Sequence, residues 1–279
     1  MGEDSNSVRQ WKSPFFSGLA SARDVADSLT LGRGLRKKVR SAWAMGTFVI
    51  DLPEASTITA LSLAGFDFVV LDMEHSSIGF TRLAELINAA RADGIACLVR
   101  PWNRDAGLIG KILDLGAHGI MAPHVDTPEI AQQVAEQARF APLGKRGFSP
   151  VTKFDALEEP LAALQEATYV VVQLEGRTAI QHAAEIASVP GIDAIFVGPY
   201  DLALSLGVEP GSETVFSEAR RIADAVPDGV GLGIYVDNPA DCGDWVRNGF
   251  ALQCVSFDGR MLADAARSVV RKAQESAEP

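Results

Sequence analysis

Gly65-Phe66-Asp67-Phe68-Val69-Val70-Leu71-Asp72-Met73-Glu74-His75 decides the fold. A small turn-forming residue precedes a run of about six bulky, β-prone residues, and the run stops on two carboxylates and a histidine. Such a run, bounded by turn-prone residues, predicts a buried strand. In a parallel α/β barrel the functional groups sit just beyond the carboxyl ends of the strands. Asp72, Glu74 and His75 fall at that position. Taken alone, His75 reads equally well as the cap of a loop.

Working outward, strand and helix patterns alternate. Strands are expected at 46–50, 66–71, 97–100, 119–122, 169–174, 194–197, 231–236 and 252–257. Most are continuous Val/Ile/Leu/Phe runs without polar alternation, as strands covered on both faces require. Helices are expected at 55–64, 81–92, 106–115, 129–139, 178–187, 212–225, 239–248 and 258–273, with a further one at 25–40. Thr127-Pro128 supplies a cap and a first-turn proline, and Gly94 and Gly116 supply stops. Alternation implies parallel pairing through crossovers. Eight units imply a closed (β/α)8 barrel with an N-terminal helix, occupying 27–279 after a loose tail at 1–26. The competing open doubly wound sheet lacks a GxGxxG after its first strand.

The strand tips carry the chemistry. Strand 2 ends in Asp72, Glu74 and His75; strand 3 in Arg100-Pro101-Trp102; strand 4 in Pro123-His124-Val125-Asp126. Strand 5 holds Gln173 and ends in Glu175. Strand 6 ends in Gly198-Pro199-Tyr200-Asp201. Five successive polar tips on one rim are hard to explain as packing, because desolvating charge is costly. Glu175 and Asp201 are hard oxygen donors on adjacent strands, suited to Mg2+ or Mn2+. The Gly198 turn opens a short helix whose N–H groups can take a carboxylate. Arg100 can add a cationic fork near that anion. A long connection from 140 to 168 carries Lys145 and Arg146 between glycines, which suggests a basic lip over the pocket.

Composition narrows the function. The chain has 279 residues, 47% of them hydrophobic, and its net charge is −11 from 25 basic against 36 acidic residues. That balance argues against a nucleic-acid binder. The basic side of the first helix (Arg33, Arg36, Lys37, Lys38, Arg40) reads as a solvated face. Cys97, Cys242 and Cys254 form no CxxC pair and no disulfide framework, which implies a reducing, cytoplasmic setting. No apolar run reaches the roughly 18–20 residues a membrane span needs. Histidines 118 and 182 lie in helix or helix-end segments and read as non-catalytic.

These motifs, in order and spacing, resemble the HpcH/HpaI aldolases, the metal-dependent class II pyruvate aldolases, in whose superfamily macrophomate synthase also lies. The matching stretches run from Gly65-Phe66-Asp67 through Asp72-Met73-Glu74-His75 and Leu98-Val99-Arg100-Pro101. They continue in Leu113-Asp114-Leu115-Gly116-Ala117, Val125-Asp126-Thr127 and Pro142-Leu143-Gly144-Lys145-Arg146-Gly147. Gln173-Leu174-Glu175, Gly198-Pro199-Tyr200-Asp201-Leu202 and Ser205-Leu206-Gly207 complete them. The resemblance implies that Glu175 and Asp201 hold a divalent cation (Mg2+, Mn2+ or Co2+) chelated by the pyruvate half of a 4-hydroxy-2-oxo acid. It implies that the N–H groups of Tyr200 and Asp201 bind the carboxylate and that Arg100 stabilises the enolate oxygen. His75, oriented by Asp114, would be the base, by way of a metal-bound water, with Asp72 and Gln173 in support or on the substrate. No lysine ends strands 5 to 7, so a Schiff-base route has no candidate.

Asp114 poses a geometric difficulty. It lies eight or nine residues into its helix, some 12 to 14 Å toward the barrel bottom at about 1.5 Å per residue. A neighbouring subunit is therefore expected to supply it, within the homo-oligomer, a hexamer, that the resemblance implies. Phe148-Ser149-Pro150, Trp102-Asn103 and His124 depart from the family pattern and are expected on the acceptor side. The alternative activity is oxaloacetate decarboxylation through the same enolate, as in a macrophomate synthase-like enzyme. An acyl-CoA lyase of the citrate-lyase kind would need a CoA surface that no segment offers. A non-catalytic scaffold would have lost these ligands, and none is lost.

Overall fold

The structure is a computed structural model that describes residues 22–148 and 160–277. Of the expected tail, residues 1–21 lie outside the described residues. Helix α1 (Ala22–Ser41) leads into the alternating units β1 (Ala44–Val49), α2 (Ala55–Ala64), β2 (Phe68–Asp72), α3 (Phe80–Ala92), β3 (Ala96–Arg100) and α4 (Ala106–Asp114). There follow β4 (Gly119–Ala122), α5 (Pro128–Ala138), α6 (Pro160–Ala167), β5 (Tyr169–Leu174), α7 (Arg177–Gln181), α8 (Ala183–Ala187), β6 (Ala194–Val197) and α9 (Pro199–Leu206). The chain ends with α10 (Glu213–Ala225), β7 (Gly231–Val236), a 3-10 turn (Pro239–Asp241), α11 (Cys242–Arg247), β8 (Leu252–Phe257) and α12 (Asp258–Ala277). The strands pair in parallel in sequence order, and β8 returns to β1, closing the barrel.

Most boundaries fall where the periodicity puts them. Strand β2 starts two residues late, at Phe68, because Asp67 leaves the ladder: its carboxylate accepts from the Met45 N–H at 2.9 Å and from Lys38 Nζ at 2.5 Å. The helix expected at 178–187 is interrupted at His182, which sits at φ −104° and ψ 12° between α7 and α8.

Two buried layers hold the barrel. Outward-facing strand residues such as Val69, Leu71, Val99 and Ile195 pack against the surrounding helices. Inward-facing Phe48, Phe68, Val70, Leu98, Val171 and Phe196 fill the interior. Fully burying each such side chain contributes roughly 1.5–3 kcal/mol. Leu35 and Val39 of α1 join the interior cluster, so this helix stoppers the N-terminal end of the barrel. Gly119 lets β4 approach β5, since any Cβ there would lie 2.0 Å from the Tyr169 carbonyl oxygen.

The basic side of α1 is largely solvated as expected, with Arg33, Lys37, Lys38 and Arg40 exposed, but Arg36 departs from it and is docked. Arg36 donates to the Glu166 and Thr168 carbonyls at 2.7 and 2.6 Å and to Asp193 at 2.9 Å. Arg33 pairs with Glu166 at 2.7 Å. Complementary carboxylates and open carbonyls at the barrel bottom make Arg36 the anchor of this helix. Among the described residues no helix is long and apolar enough to cross a membrane.

Candidate active site

The C-terminal strand ends enclose a cavity of about 350 Å3. His75 after β2, Arg100 at the end of β3, Gln173 and Glu175 at β5, and Gly198 to Asp201 after β6 all line it. Phe196 lies at its base, and Phe48, Ile50, Tyr235 and Phe257 close the remaining side.

Arg100 is fixed before any ligand arrives. Its Nε and Nη2 donate to the two oxygens of Asp72 at 2.8 and 2.7 Å, a bidentate fork. Asp72 is fully buried and does not line the cavity. Glu74 stands 3.3 Å from Arg100 Nε, and the guanidinium lies 4.7 Å over the Phe48 ring. Burial works to lower the Arg100 pKa, but the hydrogen bonds to Asp72 and its charge outweigh that and hold it above the usual value. The guanidinium is thus a permanent cation at the cavity wall.

Glu74 is tucked beneath this arginine, and burial raises its pKa above the usual carboxylate value against the pull of Arg100, His124 and His75. Its Oε2 lies 3.7 Å from His75 Nε2. The His75 side chain is half exposed, ready to meet a proton on a bound molecule. His124 bridges two carboxylates: Nε2 lies 2.9 Å from Glu74 and Nδ1 3.1 Å from Glu175. Its imidazole is pushed up to about 9, chiefly by the hydrogen bond to Glu175. The bridge needs an unusual backbone, with His124 at φ 52°.

Glu175 also accepts from the His124 N–H at 3.1 Å. Its other oxygen rests on Gly198, where an added Cβ would come within 2.5 Å of it. Gln173 is buried, and its Oε1 has no hydrogen-bond partner. A buried acceptor left unmade is costly, so the site is built for something that would satisfy it. Asp201 lies in the first turn of α9, facing the same cavity. Among the described residues no group of three or more His, Cys, Asp and Glu is arranged to hold a metal ion. Two carboxylates with an orphaned carbonyl nevertheless suit a hard cation whose other positions are filled by water and substrate.

Asp114 lies elsewhere. It is half exposed, accepts from Arg146 Nη2 at 2.8 Å, and lines a separate depression with Lys111, Lys145 and Glu136. The basic lip is not formed: Lys145 pairs with Glu136 at 2.6 Å, and Arg146 turns inward over the Phe140 ring at 4.7 Å. Burial on Phe140 and the Asp114 carboxylate hold it there. The positions expected on the acceptor side also lie outside the cavity lining. Trp102 stacks on Phe80 at 5.8 Å, Phe148 on Phe140 at 6.0 Å, and His124 is held between its carboxylates. Ser149 and Pro150 lie outside the described residues. His118 is buried, with Nδ1 accepting from the Cys97 N–H at 2.9 Å, and His182 pairs with Glu185.

Sequence reasoning passed over a second network. The Tyr200 hydroxyl donates to Asp237, which also pairs with Arg260. Tyr200 packs edge-on to Tyr235 at 5.8 Å, and Tyr235 packs on Phe48 at 6.2 Å. The only hint in the sequence is a polar aromatic at the end of an otherwise aliphatic strand, followed by an aspartate.

Comparison with known proteins bears on this geometry. The family model described as HpcH/HpaI aldolase/citrate lyase matches residues 45–265. The hydroxypyruvate/pyruvate aldolase of Chromohalobacter salexigens is 36% identical over 220 residues, covering 76% of this chain and 86% of that protein. The 2-dehydro-3,6-dideoxy-6-sulfogluconate aldolase of Pseudomonas putida is 30% identical over 239 residues, covering 83% and 92%. The crystal structure of an HpcH/HpaI aldolase from Desulfitobacterium hafniense superposes with a TM-score of 0.82 at 25% identity, covering 88% of this chain and 97% of that one.

Proposed function

We propose, for an enzyme that belongs to the HpcH/HpaI aldolase/citrate lyase family and is an aldolase-type carbon–carbon lyase, that it cleaves or forms the C3–C4 bond of 4-hydroxy-2-oxo acids. The products of cleavage are pyruvate and an aldehyde. One observation carries the reading: two carboxylates, a fixed guanidinium, a half-exposed imidazole and an orphaned carbonyl face one cavity.

Glu175 and Asp201 would hold a divalent cation, which when bound supplies positive charge to the substrate's oxygens. The first N–H groups of α9, those of Tyr200 and Asp201, have no carbonyl one turn earlier and receive the carboxylate. Arg100, already locked by Asp72, needs no reorganisation to stabilise the negative charge that cleavage leaves on the former keto oxygen. His75 takes the proton from the C4 hydroxyl in cleavage and returns it in addition. Glu74, close beneath it, supports the protonated imidazole.

Asp114 serves the His75 of another copy in this reading. Its distance from the cavity within one chain supports that assignment, as do the exposed Leu262, Val269 and Val270 along α12, a face suited to a neighbouring subunit in a homo-oligomer, a hexamer in our reading.

The test is exchange of the pyruvate C3 protons in D2O, followed by NMR with Mg2+, Mn2+ or Co2+ added to metal-stripped protein. Exchange should require the metal and vanish in Glu175→Ala and in Asp201→Ala. Metal-dependent exchange surviving in both variants would remove the ligand assignment.

A further inference from the structure

The cavity is two-sided. Going round the barrel from β2 to β6, the contributions include the polar or charged His75, Arg100, Gln173, Glu175 and Asp201, with Phe196 and the Gly198-Pro199-Tyr200 turn of β6 beside them. Going on through β7, β8 and β1, the contributions are Tyr235, Phe257, Phe48 and Ile50. The two tyrosines do not spoil this second arc. The Tyr200 hydroxyl is taken by Asp237, which Arg260 holds in turn. That hydroxyl is thus engaged at the rim, where Asp237 and Arg260 are exposed, and the ring faces of Tyr200 and Tyr235 remain for the cavity. Stacking of Tyr200 on Tyr235 and of Tyr235 on Phe48 makes the arc one continuous surface.

The polar arc has work enough with the oxo acid. In the addition direction, pyruvate gives up a C3 proton and the resulting carbon attacks the aldehyde carbon. The C=O pair moves to the aldehyde oxygen, which takes a proton and becomes the C4 hydroxyl. That oxygen must face His75. The rest of the aldehyde then points away from the polar arc, toward β1, β8 and β7. Hydroxyls on that body would lie against ring faces without partners, whereas methylenes or an aryl ring would be removed from water.

Resting on the pyruvate aldolase reading, we propose that this apolar arc is the acceptor pocket, that it takes aldehydes with an aliphatic or aromatic body over polyhydroxylated ones of the same length, and that Tyr235 and Ile50 set the preference.

The experiment uses the full chain with Mn2+ and pyruvate, reading kcat/KM for propanal, butanal, pentanal, benzaldehyde and erythrose. Along the alkanals kcat/KM should climb about two- to fourfold per methylene, the transfer gain of a partly to fully buried CH2. Butanal should exceed erythrose by roughly tenfold or more, within the range a hydrophobic pocket achieves against added hydroxyls. Tyr235→Ser and Ile50→Ser should each lower the pentanal-to-erythrose ratio at least fivefold. The ratio is taken within one preparation, so a loss of folded protein cancels, and either variant suffices if the other does not fold. Metal-dependent C3 exchange without acceptor is the control. Exchange with a flat alkanal series, with erythrose preferred, or with ratios unmoved in the variants overturns the acceptor proposal and leaves the aldolase reading standing. Absence of exchange overturns both.

Discussion

Asp72→Ala isolates the value of an arginine held in advance. Asp72 is fully buried and Arg100 is 7% exposed, and two hydrogen bonds of 2.8 and 2.7 Å join them. Removing one partner of a buried pair costs about 3–5 kcal/mol, because the other is left charged in a dry place. Glu74 remains 3.3 Å from Nε and Phe48 still underlies the guanidinium, so the lower figure, about 3 kcal/mol, applies. For a chain of this size that corresponds to a fall in Tm of roughly 6–12 °C. Calorimetry of Asp72→Ala, Arg100→Met and the double variant measures it. The double variant should be more stable than Asp72→Ala alone, since no orphaned cation is left. Enolisation by Asp72→Ala should also drop by roughly a hundredfold, the usual loss when a charge-stabilising donor is no longer aimed. A Tm within 2 °C of wild type (about half a kcal/mol) with undiminished exchange would show that Arg100 is held by something else. Strictly additive losses in the double variant would say the same.

Three further outcomes follow from the geometry. Mixing His75→Ala with Asp114→Asn subunits, each inactive alone, should restore about a quarter of the sites if random assembly pairs them across copies; no recovery after confirmed subunit exchange would return Asp114 to a role within its own chain. Gly198→Ala should weaken divalent-ion affinity by roughly ten- to a hundredfold by calorimetric titration, because its Cβ would crowd Glu175; unchanged affinity would place the ion elsewhere. Burial raises the Glu74 pKa in the folded state, so the stability tied to its protonated form is present below the usual carboxylate value near 4.5 and is lost as pH rises through the folded value. A carboxyl-carbon NMR titration of metal-free protein should find that midpoint above 4.5, and a midpoint at or below it would contradict the burial argument.

The barrel was legible because its strands are covered on both faces and therefore read as unbroken apolar runs between glycine and proline signals. Asp67 shows where that reading slips: it sits in an apolar run, yet its carboxylate serves Met45 and Lys38, and the strand begins after it. The polar tips from β2 to β6 were legible because each lies within a residue or two of a strand end. The pairing of Asp72 with Arg100 was not, since side-chain forks depend on register between β2 and β3. Nor was the His124 bridge, which rests on a left-handed backbone at a histidine. Arg146 looked like a surface cation and proved to be buried on Phe140. Ile50, Tyr235 and Phe257 were hidden because an apolar residue in a barrel strand looks like packing, whether it faces filler or a ligand.

Helix α1 corks the interior from below, with Leu35 and Val39 seated in the same buried cluster as Phe68 and Tyr169. Such a vessel has one doorway. Phe196 and Gln173 line a cavity that opens at the opposite, C-terminal rim, so whatever reaches them enters from the end that the helix does not close.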